Sequence, residues 1–147
     1  MPNAKLFFSE EDKSKIMEAI AKAEVATSGE IRVHLEEKCG EDVIKRATQV
    51  FAKLNMHKTE LKNGVLIYLA VKDKKFAIIG DEGINNSVPE NFWDTIKNNM
   101  QTAFSESRFV DGIIGAIHES GEQLQHFFPF HHTDTNEVSD EISFHDD

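Results

Sequence analysis

Val65-Leu66-Ile67-Tyr68-Leu69-Ala70-Val71 is an unbroken run of seven apolar residues. Alternation vanishes in this way when a strand is covered on both faces and neither side meets water. After a turn at Lys72-Asp73-Lys74, the stretch Phe76-Ala77-Ile78-Ile79 has the same character. A link of about three residues makes the second strand an antiparallel neighbour of the first. Upstream, Ile31-Arg32-Val33-His34-Leu35-Glu36 alternates apolar and polar residues, which predicts a strand with one buried face and His34 turned outward. Between the two, Val43, Ala47, Val50, Phe51 and Leu54 recur on one helical face. Strand, helix, strand in that order predicts a parallel pair with a right-handed crossover.

The pattern continues outward. Ser9 is an N-cap with Asp12 three residues on, and Ile16, Ala19, Ile20 and Ala23 follow at helical spacing, with Gly29 as a stop. Ser87-Val88-Pro89-Glu90 predicts the start of a third helix whose core face holds Phe92, Trp93, Ile96, Met100 and Phe104. A fourth carries Val110, Ile113, Ile114, Ile117 and Leu124 and ends before Pro129. Gly112 and Gly115 lie on it and are expected to admit close packing, since Gly otherwise costs a helix ~1 kcal/mol against Ala. Residues 1–130 thus form one α/β domain without internal repeats. Residues 131–147 are an acidic tail expected to be disordered, with Ile142-Ser143-Phe144 the segment able to dock as a short strand.

Composition narrows the function. In 147 residues, 39% are hydrophobic and 29% charged, enough for a core and against wholesale disorder. The net charge is −10, of which the tail carries −6. Nucleic acid is excluded as a partner, because binding phosphates needs a basic patch. Cations or basic proteins suit the charge better. No apolar run reaches the length of a membrane span, and no leader is visible, so a cytoplasmic protein is expected. The single cysteine, Cys39, forms neither an internal disulfide nor a cysteine-based metal site and reads as a plain thiol.

The strand directions bring three loops to one edge of the sheet: Ser28-Gly29-Glu30, Lys62-Asn63-Gly64 and Gly80-Asp81-Glu82-Gly83. Carboxylates, an amide and flexible glycines at one edge match the oxygen donors a hard divalent cation takes. Each also has an ordinary reading, as a solvated carboxylate, a turn, or the polar exit of a buried strand. The opposite edge holds Glu36, Glu37, Asp42 and Asp73, but Lys38, Lys72, Lys74 and Lys75 crowd them and weaken that edge as a cation site. His126, His131, His132 and Asp134 are a further, weaker set for a transition metal.

Thr27-Ser28-Gly29-Glu30-Ile31-Arg32, Lys62-Asn63-Gly64-Val65-Leu66-Ile67 and Ile79-Gly80-Asp81-Glu82-Gly83-Ile84 resemble, in order and spacing, the signatures of the TPM domain family. Gly112-Ile113-Ile114-Gly115-Ala116-Ile117 and His126-Phe127-Phe128-Pro129 resemble its bacterial stand-alone branch. The resemblance implies a three-layer α/β/α sandwich and binding of calcium or magnesium at a cleft. The positions it carries over are Glu30, Asn63 and Asp81, with Glu82 beside them. Plant plastid relatives are linked to photosystem repair and a weak acid phosphatase activity, and others to membranes. This chain shows no targeting peptide, transmembrane segment or glycine-rich tail. Two functions follow as expectations. One is a non-catalytic cation-binding domain that regulates or scaffolds a protein partner. The other is a metal-assisted phosphatase, for which Lys62 and Arg32 are the basic residues near the edge.

Overall fold

The computed structural model describes residues 7–25, 27–58, 62–89, 91–129 and 142–145. The helix α1 (Glu10–Val25) opens on Ser9, whose Oγ accepts from the Asp12 N–H at 3.0 Å, as the capping pattern predicts. Then come β1 (Glu30–Glu36), α2 (Val43–Lys53), a single 3-10 turn at Met56–Lys58, β2 (Gly64–Ala70) and β3 (Lys75–Gly80). A short α3 (Glu82–Asn85), α4 (Asp94–Ser105), α5 (Phe109–Phe127) and β4 (Ser143–His145) complete the chain.

The sheet order is β3-β2-β1-β4. β1 and β2 are parallel, and β2 and β3 antiparallel, as the connections require. Every residue of β2 is buried, which matches its unbroken apolar run. Alternation sends Ile31, Val33, Leu35, Val65, Ile67 and Leu69 into the larger core beneath α1, α4 and α5. Leu66, Tyr68 and Ala70 meet Ala47, Val50 and Phe51 of α2 on the other face. The result is a three-layer α/β/α sandwich around a mixed four-stranded sheet. Among the described residues no helix is long and apolar enough to cross a membrane.

Three sequence expectations need correction. The third helix does not start at Ser87, whose Oγ instead donates to the Gly83 carbonyl at 2.8 Å and closes α3; α4 begins only at Asp94. β1 is buried on both faces, and His34, expected outward, is 4% exposed. Within the tail, residues 142–145 do not trail away. β4 runs parallel to β1, pairing His34 with Ser143 and Leu35 with Phe144. Ile142 is buried and Phe144 packs on the larger core, because β1 would otherwise be an open edge beside an apolar surface.

The two helical glycines of α5 part company. A methyl at Gly112 would lie 2.6 Å from Phe104 Cε1 and 3.1 Å from the Ala103 Cβ, so α4 packs there because the side chain is absent. Nothing lies within 4 Å of the corresponding position at Gly115. Gly112→Ala is expected to lower stability by about 1–3 kcal/mol through overpacking. Gly115→Ala should raise it by about 0.5–1 kcal/mol through helix propensity. Thermal melts of the two variants should therefore move in opposite directions.

Candidate functional site

Backbone pairing assembles the first edge. Glu30 lies in register with Gly64, and its N–H donates to the Asn63 carbonyl at 3.3 Å. The Asp81 N–H donates to the Gly64 carbonyl at 2.9 Å, so all three loops are tied together. The end of α5 joins them: the Ser28 N–H donates to the Phe128 carbonyl at 2.9 Å, and the Thr27 hydroxyl donates to the Leu124 carbonyl at 3.1 Å. Lys62 enters the second loop with a left-handed φ of 53°.

The side chains differ in what they offer. Glu30 is buried at the start of a polar row on β1 that faces the α2 side of the sheet. Asn63 is buried, and its Nδ2 donates to Ser28 Oγ at 3.3 Å, which leaves the amide oxygen for another partner. Asp81 Oδ1 accepts from the Glu82 N–H at 2.7 Å and caps α3. Its Oδ2 is buried and has no hydrogen-bond partner among the described residues. Glu82 is exposed in the first turn of α3. Among the described residues, no group of three His, Cys, Asp or Glu could hold a metal ion. A cation at this edge would therefore need oxygen from amide, backbone and water besides carboxylate, a mixture calcium and magnesium accept.

Sequence reading missed Trp93 and Asn85 beside this edge. The Trp93 ring packs so closely on Gly80 that a Cβ there would meet its Cζ2 at 2.5 Å. Its Nε1 donates to Asn85 Oδ1 at 3.3 Å. Nothing local marks these residues, because the contact exists only once α4 folds back over the end of β3.

The rival edge is occupied largely by its own bonds, with Lys75 of the expected lysines near enough to act on Asp73. Glu36 is fully buried and takes a two-pronged contact from Arg46 of α2, at 2.7 and 2.8 Å. The Tyr68 hydroxyl also donates to it, and His34 Nε2 lies 3.3 Å away. Burial pushes the Glu36 carboxyl up, but the hydrogen bonds from Arg46, His34 and Tyr68 outweigh it and hold it well below the usual carboxylate range. Burial and then the Glu36 carboxylate push the Tyr68 phenol far above its ordinary value. His34 Nδ1 lies 2.8 Å from Ser143 Oγ, so the network reaches β4. Asp42 is spent on capping α2 through the Lys45 N–H, and Asp73 accepts from the Cys39 N–H at 2.9 Å. Burial and the neighbouring Asp73 raise the Cys39 thiol, so it is held protonated and poorly nucleophilic. His131, His132 and Asp134 lie outside the described residues.

A mixed sheet layered between helices, with three strand-end loops bonded into one polar edge, defines an α/β/α domain with a candidate ligand edge. The chain belongs to the TPM domain family, which residues 3–123 match. It is similar to the BA42 protein of the psychrophilic bacterium Bizionia argentinensis, known from an NMR structure. The identity is 44% over 99% of this chain and 100% of that one, with a TM-score of 0.91. The N-terminal domain of a Porphyromonas (P. gingivalis) protein is 14% identical, covers 85% of this chain and 83% of its own, and has a TM-score of 0.66. The N-terminal domain of a Corynebacterium glutamicum protein is 16% identical, with 94% and 81% covered and a TM-score of 0.62. These last two share the fold. No curated protein matches the chain.

Proposed function

We propose that this chain is a divalent-cation-binding domain, taking calcium or magnesium, that regulates or scaffolds a protein partner in the cytoplasm without catalysing a reaction. The cation would be held by Asp81 and Asn63, with Glu30 and Glu82 adding charge and oxygen. Asp81 Oδ2 carries the reading. A buried carboxylate oxygen without a donor bears a desolvation cost, and a cation offsets it directly. Buried Asn63, whose side-chain nitrogen donates to Ser28 Oγ, fits the same role. When bound, the cation would supply positive charge that joins the three loops. A second reading, a metal-assisted phosphatase, draws on the family's short name, which includes phosphatase. There the cation would polarise a phosphoryl oxygen and lower the pKa of water.

Trp93 is the single tryptophan and packs one residue from Asp81, so its fluorescence reports on this edge. Calcium at a hundredfold excess over its dissociation constant should stabilise the fold by about 2.7 kcal/mol. The affinity expected for so few charged ligands is on the order of 10⁻⁴ M. Asp81→Asn keeps the helix-capping oxygen but removes the charge. It should abolish most of the calcium-dependent rise in melting temperature and the Trp93 response, while slightly raising stability without calcium. A variant that keeps the full calcium response would place the site elsewhere. Turnover of a phosphate monoester that needs magnesium and disappears in Asp81→Ala would favour the second reading.

A further inference from the structure

An apolar cavity lies far from the cation edge, at the turn between β2 and β3, and encloses about 550 Å³. That falls inside the roughly 300–1,000 Å³ of small-molecule sites. Leu69 and Val71 form its floor, while four phenylalanines from separate segments form its walls: Phe7 before α1, Phe76 on β3, Phe104 on α4 and Phe109 on α5. The rings brace one another. Phe76 meets Phe104 edge-on at 5.1 Å, Phe104 stacks on Phe109 at 5.5 Å, and Phe7 meets Phe109 edge-on at 5.1 Å. Such walls are set before any ligand arrives.

Among the described residues one charged residue borders the cavity, Lys74; the other polar residues around it, Gln101, Ser105 and Ser107, are neutral. Lys74 is exposed, sits in the turn with a left-handed φ of 56°, and makes no ion pair among the described residues. We propose that the cavity binds a free small carboxylic acid with a medium-length acyl chain, its tail among the four phenylalanines and its carboxylate at Lys74. The apolar walls select the tail, and the single uncommitted positive charge selects an anionic head over a neutral or cationic one. The proposal is independent of the cation reading, since the cavity and the Asp81 edge lie at opposite ends of β3.

The test compares decanoate with decyltrimethylammonium, which has a similar tail and the opposite charge, each titrated as monomer into the labelled full chain. Decanoate should shift the amides of residues 69–76 and 104–109, and bind tighter than the cationic amphiphile. Lys74→Glu, at an exposed turn where the fold is not at stake, should weaken decanoate about fivefold and strengthen the cation. Equal binding of the two amphiphiles, a preference unchanged by Lys74→Glu, shifts centred elsewhere, or no shifts would each overturn it. Cosedimentation with phosphatidylglycerol vesicles, without decanoate binding, would instead make this face a membrane contact and also overturn it.

Discussion

Arg46→Ala is expected to destabilise the protein by about 3–5 kcal/mol, the cost of leaving a buried charge without its partner. For a chain of this size that is a fall in melting temperature of roughly 10 °C. Glu36 has no exposure to solvent, and among the described residues the guanidinium of Arg46 is its only Lys or Arg partner. The double variant Glu36→Gln/Arg46→Met should recover much of the loss, because an uncharged pair of similar volume carries a far smaller desolvation penalty than a lone buried charge. The pH dependence has a defined sign. The folded-state pKa of Glu36 is depressed, so its contribution is complete above the unfolded value of about 4.3 and is lost as pH falls toward the folded value. Wild-type stability should therefore decline as pH falls below about 4.3, and the gap to Arg46→Ala should narrow over the same range. Urea melts at pH 3 and pH 5 measure both. A gap that stays constant would show that Arg46 acts through packing alone.

Ending the chain after Glu141 is expected to cost about 3 kcal/mol, or roughly 6–12 °C in melting temperature. Ile142 is buried and Phe144 packs on the larger core, where Lys13 Nζ lies 5.2 Å from its ring centroid. Full burial of such side chains contributes about 1.5–3 kcal/mol each, offset in part by the entropy of ordering the segment. Truncation also removes the Ser143 hydroxyl from His34 and bares the outer edge of β1. Ile142→Asp in the full chain should reproduce much of the loss. A melting temperature within a degree or two of wild type would show that β4 adds nothing to the native state.

The apolar run at Val65–Val71 and the turn after it were enough to define a strand covered on both faces with an antiparallel neighbour, because periodicity and connection length are local properties. The same logic placed the Glu30, Asn63 and Asp81 loops on one edge, and the backbone bonds among them follow from strand direction alone. Local sequence also carried the Ser9 cap. It could not show that Arg32, His34 and Glu36 turn toward protein. Alternation marks which residues share a face, whereas the burial of that face depends on α2 and β4 arriving from elsewhere in the chain. A clue was present, since β1 neighbours a strand whose two faces are both covered.

Sequence by itself determined the order of α1, β1, α2, β2, β3 and the two long C-terminal helices, the directions of the first three strands and the family, all of which rest on short-range pattern and spacing. Tertiary structure alone decided which carboxylates are spent and which retain a free oxygen. Glu36 is bound by Arg46 and Tyr68, Asp73 by Cys39, and Asp42 by its own helix, while Asp81 keeps Oδ2 without a donor among the described residues. The physical reason is that a carboxylate's role depends on donors within about 3 Å. For Glu36 and Asp73 those donors come from residues ten or more positions away along the chain, which only folding brings near.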